Sequence, residues 1–178
     1  MDYTILTMLA EHWPAVREIY REGIATGNAT FETEVPDWER WNATHRRDCR
    51  LVALEPIEAD TDEPLITVEN PRILGWAALS PVSSRYVYRG VAEVSVYVAA
   101  EARGRGVGTR LLRVLVEESE VSGIWTLQAG IFPENTPSLA LHRSCGFREV
   151  GVRRKLGKFG ERWRDVALFE RRSATVGL

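Results

Sequence analysis

Apolar and polar positions alternate most cleanly near the middle of the chain. Val94, Val96 and Val98 are separated by Ser95 and Tyr97. A period of two in β-branched and aromatic residues predicts a strand. The period then changes. Val107, Leu111, Val114 and Leu115 recur at helical spacing, which predicts an amphipathic helix. Between the two lies Arg103-Gly104-Arg105-Gly106-Val107-Gly108, a basic, glycine-rich turn.

The same reading extends along the chain. Residues 2–7 predict a short strand. Residues 11–23 predict a helix with Val16, Ile19 and Tyr20 on one face and Gly23 near its end. Residues 27–36 are short and polar around Phe31. Asp37 is placed to cap a second helix over 38–47. Residues 50–54 and 72–80 predict strands, with Gly75 marking a bulge or a close backbone approach. Between them, 55–70 is acidic, contains Pro56 and Pro64, and reads as an inserted loop or hairpin tip. Residues 81–90 form a loop in which Arg85, Tyr86, Tyr88 and Arg89 crowd together. Gly123 ends the long helix, and 124–129 predicts a strand. Thr136 is the expected N-cap of a further helix, with Pro137 at its first position and Gly146 at its end. Residues 147–154 and 163–170 predict two closing strands joined through 156–161. The order is β, α, α, β, β, β, α, β, α, β, β. It predicts one α/β domain over 1–178, with a mixed, mostly antiparallel central sheet and helices on both faces.

Composition removes several function classes. The 178 residues carry 23 basic and 25 acidic side chains, a net charge of −2, so no global field favours nucleic acid or an anionic membrane. No apolar run reaches the roughly 20 residues that span a bilayer. The first residues have no basic segment ahead of their apolar ones, unlike a signal peptide. Cys49 and Cys145 make no CxxC, and His12, His45 and His142 are scattered. No metal site is therefore expected, and reduced thiols fit a cytoplasmic protein.

The turn has a chemical meaning. Unpaired N–H groups and a partial positive charge gather at a helix N-terminus, and glycines let backbone approach a ligand. Phosphate binding is the common use of this combination. The spacing is not that of a dinucleotide loop, because Leu111 stands where the third glycine would fall. It is not that of a nucleotide-triphosphate loop, because no Gly-Lys-Ser/Thr follows. Two side chains could move protons. Glu93 begins the 94–98 strand, where a carboxylate is either a base or simply solvated. His142 lies on the helix after 136, where it is either a proton carrier or a packed residue.

The run Arg103-x-x-Gly106-x-Gly108 resembles the acyl-CoA pyrophosphate loop (R/Q-x-x-G-x-G/A) of the GCN5-related N-acetyltransferases. The run from Ser138 through Leu141-His142 to Gly146-Phe147 resembles that superfamily's S-x-x-L-Y-x-x-x-G-F pattern, with His142 in the tyrosine position. Together with Ala92-Glu93-x-Ser95-x-Tyr97-Val98 and Lys158-Phe159-Gly160-x-x-Trp163-x-Asp165-Val166, it is similar to the branch of phosphinothricin, methionine sulfoximine and arsinothricin N-acetyltransferases over nearly the whole chain.

The resemblance implies acetyl-CoA as co-substrate, no metal, and a small amine as acceptor. It implies pyrophosphate held at Arg103, Gly104, Arg105, Gly106, Val107, Gly108 and Thr109. The pantetheine would lie along Val96, Tyr97 and Val98, with further contacts from Asn135 and Ser138. Glu93 and His142 would be the acid–base pair. A lid carrying Phe31 and Glu32 would cover the acceptor, and Arg85 and Tyr88 would meet its anionic group. Arg85, Tyr86 and Arg89 could equally be a solvated loop surface. A homodimer is implied, with detoxification of an antibiotic or herbicide as its task. Rival functions are protein N-terminal or polyamine acetylation, and a non-catalytic acyl-CoA sensor on the same fold. The acidic stretch 55–70 is longer than the branch usually has.

Overall fold

A computed structural model describes residues 3–55 and 72–178. Apart from Glu55, the predicted acidic loop lies outside the described residues.

The elements follow the expected order. They are β1 (Thr4–Thr7), α1 (Trp13–Ala25), α2 (Trp38–Thr44), β2 (Arg50–Leu54), β3 (Ile73–Pro81), β4 (Val91–Val98), α3 (Val107–Val121), β5 (Thr126–Ile131), α4 (Thr136–Ser144), β6 (Arg148–Phe159) and β7 (Arg162–Arg172). They build one seven-stranded sheet in the order β1-β2-β3-β4-β5-β7-β6. Every pairing is antiparallel except β4 with β5.

Strands β2 and β3 are buried along nearly their whole length, as their unbroken apolar runs require when both faces are covered. Trp76 points toward α1, meeting Tyr20 edge-on at 5.5 Å and stacking on Tyr97 at 4.7 Å. Its neighbour Gly75 points the other way, against Leu111 and Val107 of α3. Helices α1 and α3 therefore cover opposite faces. Gly75 meets its expectation. Ala53 pairs with Gly75 and Leu54 with Ile73, so Leu74 is the extra residue of a bulge. A Cβ on Gly75 would sit 2.7 Å from the Tyr97 carbonyl oxygen.

Four boundaries differ from the sequence expectation, each for a local reason. Helix α1 is preceded by a 3-10 turn over Ala10–His12 and starts at Trp13. Helix α2 stops at Thr44 because the buried Arg50 guanidinium donates to the carbonyls of Asn42 and His45 at 3.0 and 2.8 Å, closing the helix end. The N-cap of α4 is Asn135, not Thr136: its Oδ1 accepts from the Ser138 N–H at 3.2 Å, and Pro137 falls at the second position. The expected connector 156–161 is mostly strand. Phe159 pairs with Arg162, leaving Gly160-Glu161 as the turn. A bulge between Arg153 and Gly157 had masked the pattern. There Lys155 takes φ 47° and its N–H donates to Asp165 Oδ1 at 2.7 Å.

Candidate active site

The site begins where the sheet comes apart. Strands β4 and β5 pair only at Val91, Ala92 and Glu93, opposite Thr126, Leu127 and Gln128. Beyond Glu93 the two strands diverge. The register with β3 fixes which backbone groups this leaves open. Ala99 donates its N–H to Leu74 O at 2.9 Å, directly opposite. Alternate residues of an antiparallel strand share that direction, so Tyr97, Ser95 and Glu93 turn their backbone groups to β3. Val94, Val96 and Val98 turn theirs toward β5: the Val94 N–H closes the Glu93–Gln128 pairing, and Val96 and Val98 face the gap.

A cavity of about 740 Å³ fills the fork, lined by these three valines and by Ala129, Gly130 and Ile131 of β5. One end of it meets the N-terminus of α3. The first intrahelical bond there runs from the Arg110 N–H to Gly106 O at 3.1 Å. The N–H groups of Val107, Gly108 and Thr109 precede it and have no carbonyl four residues back. Gly106 caps the helix at φ 79° and Gly104 takes φ 76°, the left-handed region that glycine adopts without strain. Arg103, Gly104, Gly106, Val107, Gly108 and Thr109 all line the cavity. Arg105 does not: its guanidinium turns outward to Glu55 Oε1 at 2.9 Å. That contact, with help from Arg72, holds the Glu55 carboxyl below the usual range.

Helix α4 forms the opposite wall through Asn135, Ser138 and His142. The Asn135 amide also donates to Asn28 O at 3.0 Å, tying α4 to the segment after α1. His142 is 4% exposed. Its Nδ1 lies 2.8 Å from Ser138 O; a carbonyl only accepts, so Nδ1 carries the proton. Nε2 is then a lone-pair acceptor, buried and without a partner. Burial lowers the pKa of this imidazole, which stays neutral. In this form His142 can take a proton but has none at Nε2 to give.

Glu93, Ser95 and Tyr97 project from the other face of β4, under α1. The Glu93 carboxylate is exposed, and its Oε2 accepts from Gln128 Nε2 at 2.9 Å, at the point where the strands part. The Tyr97 ring packs against Tyr20 at 4.8 Å and Trp76 at 4.7 Å; its backbone groups turn to β3, and the residue still lines the cavity. Burial raises the Tyr97 phenol, with nearby Tyr20 and Glu32 adding to the effect.

Phe31 meets Phe132 edge-on at 4.8 Å and lies against Gly157, where a Cβ would come within 2.7 Å of its ring. Arg85 and Tyr88 are exposed on the 81–90 loop, with the guanidinium 5.4 Å above the ring, and neither lines the cavity. That loop returns to β4 through Gly90, whose carbonyl accepts from the N–H groups of Trp125 and Thr126 at 2.8 and 3.1 Å.

Sequence reasoning missed Gln128 and Arg164. The Arg164 guanidinium gathers Gly27 O, Asn28 Oδ1 and Glu134 Oε2 within 3.0–3.1 Å and so fixes the segment after α1. The signal for Gln128 was a lone amide inside the apolar strand TLQAGI. Among the described residues no group of three His, Cys, Asp or Glu could hold a metal, and no helix is long and apolar enough to cross a membrane.

A strand fork with a helix N-terminus at one end of it is the arrangement of an acyl-CoA-dependent N-acyltransferase. Residues 14–147 match the family model described as Acetyltransferase (GNAT) family, and the chain belongs to that family. A phosphinothricin N-acetyltransferase of Alcaligenes faecalis is 36% identical over 172 residues, covering 94% of this chain and 81% of that protein. The structure of a phosphinothricin acetyltransferase from Sinorhizobium meliloti in complex with AcCoA superposes with a TM-score of 0.82 at 29% identity, covering 99% of this chain and 91% of that one. A ribosomal-protein-alanine N-acetyltransferase from Brucella melitensis superposes with a TM-score of 0.79 at 30% identity, covering 96% and 99%. The chain is an N-acetyltransferase that uses acetyl-CoA.

Proposed function

We propose that this enzyme acetylates the free α-amine of a small amino-acid analogue with a second polar or anionic group, such as phosphinothricin, methionine sulfoximine or arsinothricin. The carrying observation is Glu93, held at the fork with backbone amides on one side and the α1 face on the other. Glu93 takes the proton of the attacking ammonium. The N–H groups of Val96 and Val98 hold the developing oxyanion. Neutral His142 accepts the second proton, released by the nitrogen once its bond to the acyl carbon has formed, and returns it to the thiolate as the C–S bond breaks; a reference pKa of about 8.5 makes that thiolate a fair leaving group. Phe31 and Glu32 cover the acceptor, and Arg85 with Tyr88 binds its anionic group.

Assembly is proposed as a homodimer through the C-terminal hairpin. Strand β6 is an edge of the sheet, and Val150, Val152, Leu156 and Trp163 on the hairpin are exposed. The cytoplasm supplies acetyl-CoA and keeps thiols reduced, in keeping with the free Cys49 and Cys145. Detoxification is the proposed task.

A second reading, acetylation of a protein N-terminus, draws support from the likeness to the Brucella melitensis structure. The deciding experiment follows CoA-thiol release with phosphinothricin, methionine sulfoximine, methionine sulfone, arsinothricin, spermidine and a short peptide. Turnover confined to the amino-acid analogues is the expected result. Turnover on the peptide alone would replace this reading with the second. No turnover on any of them, with acetyl-CoA still bound, would favour a sensor.

A further inference from the structure

We propose that Gln128 is a positioning residue for Glu93: it pins one carboxylate oxygen so that the other faces the acceptor amine. The inference rests on Glu93 acting as the base.

The sheet register sets up the contact. Ser80, Glu93, Gln128, Glu170 and Arg148 stand directly opposite one another across β3, β4, β5, β7 and β6. Residues opposite across a sheet project to the same face, so these five side chains form one polar row. Glu93 and Gln128 are the last residues to pair before β4 and β5 separate. The amide of Gln128 thus bridges the fork at its base, 2.9 Å from Glu93 Oε2.

Gln128 has a carboxylate on each side of it along this row. Glu170 is already engaged by Arg148. The amide is left to Glu93. A carboxylate with one oxygen held by a fixed donor cannot swing on its side-chain torsions, and Oε1 has no donor among the described residues. The alternation of charge along the row also matters. Glutamate at 128 would set three carboxylates side by side, and an apolar residue would leave Glu93 to rotate freely. The other groups toward this face are Glu32, beside Tyr20 and Tyr97, and Arg85 and Arg89 on the 81–90 loop that leads into β4.

The test compares Gln128→Met, which keeps length without the donor, Gln128→Glu, which keeps shape and adds charge, and Glu93→Gln. Each is read by kcat and KM for the acceptor separately, by the acetyl-CoA Kd and by Tm. Gln128→Met should lower kcat by roughly tenfold to a hundredfold through misaimed geometry. It should leave the acetyl-CoA Kd within about twofold, since Gln128 does not line the cavity. It should lower kcat more than it raises the acceptor KM, since a base oxygen left to rotate is misaimed without removing the acceptor's own contacts. Gln128→Glu, which replaces the donor by a third carboxylate in the row, should show the same split with a larger loss of kcat. If Gln128→Met does not fold, the isosteric Gln128→Glu carries the test.

A fall in Tm with native kcat and acceptor KM would make Gln128 a packing residue and overturn the inference. If Glu93→Gln stays within about tenfold of the native kcat, the base assignment itself fails. If Glu93→Gln is inactive while both Gln128 variants keep the native kcat, only the positioning role fails.

Discussion

One hydrogen bond determines what His142 can do. Its Nδ1–H donates into the Ser138 carbonyl of its own helix, so Nε2 is left as an acceptor. Burial lowers its pKa, and burial lowers that of His45 as well. The sign of the consequence for stability follows. Above the reference value of about 6.5, folded and unfolded chains both hold these imidazoles neutral, and stability does not depend on them. Below it the unfolded chain binds protons that the native chain refuses, so stability falls as pH falls toward the lower folded values. Thermal melts from pH 8 to 5 should be flat down to about 6.5 and then decline, and His142→Gln should reduce the slope.

Glu93 is tested at the same scale. Glu93→Gln should lower kcat by roughly 10²–10⁴, the range for a general base, with the acetyl-CoA Kd unchanged. A loss under about tenfold in initial rates would mean that solvent alone takes the proton. Glu93 and His142 could be singled out as candidates in the sequence because each lies inside a motif that follows local chain order. Gln128 was not, because its partner is set by the β4–β5 pairing, which no local pattern states.

At the scale of elements, the turn before α3 separates two kinds of glycine. Gly106 stands at φ 79°, where any side chain is strained by about 1–2 kcal/mol. Gly108 has no such constraint; a Cβ there would meet Val98 Cγ2 at 3.3 Å and Leu141 Cδ2 at 3.4 Å, a contact that small shifts can relieve. Gly106→Ala should therefore weaken acetyl-CoA binding tenfold or more, while Gly108→Ala should stay within a few-fold, as read by isothermal titration. The strand–turn–helix unit was readable because two hydrophobic periods meet there. The end of α2 was not, since Arg50 caps it from the next strand. The length of the final hairpin was hidden by the bulge between Arg153 and Gly157, which shifts the alternation out of phase.

Across the whole molecule, the segment after α1 is pinned to the C-terminal half. Phe31 packs on Phe132 and Gly157, Arg164 stacks over Phe132 at 4.0 Å, and the same guanidinium holds Gly27 and Asn28. Whatever the β6–β7 hairpin does is felt at the proposed acceptor cover. Trp163 on that hairpin is 57% exposed. Trp163→Glu should convert a dimer to a monomer by light scattering, with a raised acceptor KM and a near-native Tm. A native protein that is monomeric at micromolar concentration would remove the dimer from the proposal. The number and type of elements followed from periodicity. The insertion of β7 between β5 and β6 did not, because strand order is decided by long-range packing.

The fork gives this sheet an edge in its interior, and that edge runs along only one side of β4. Every second amide of the strand is locked to β3 and every second one is not. Deuterium uptake should therefore be two-toned within a single strand: Val96 and Val98 fast, Ser95 and Tyr97 slow. Adding acetyl-CoA should slow the fast set selectively and leave the slow set where it was. A uniform response along β4 would mean that the strand moves as one body and that the co-substrate does not extend the sheet.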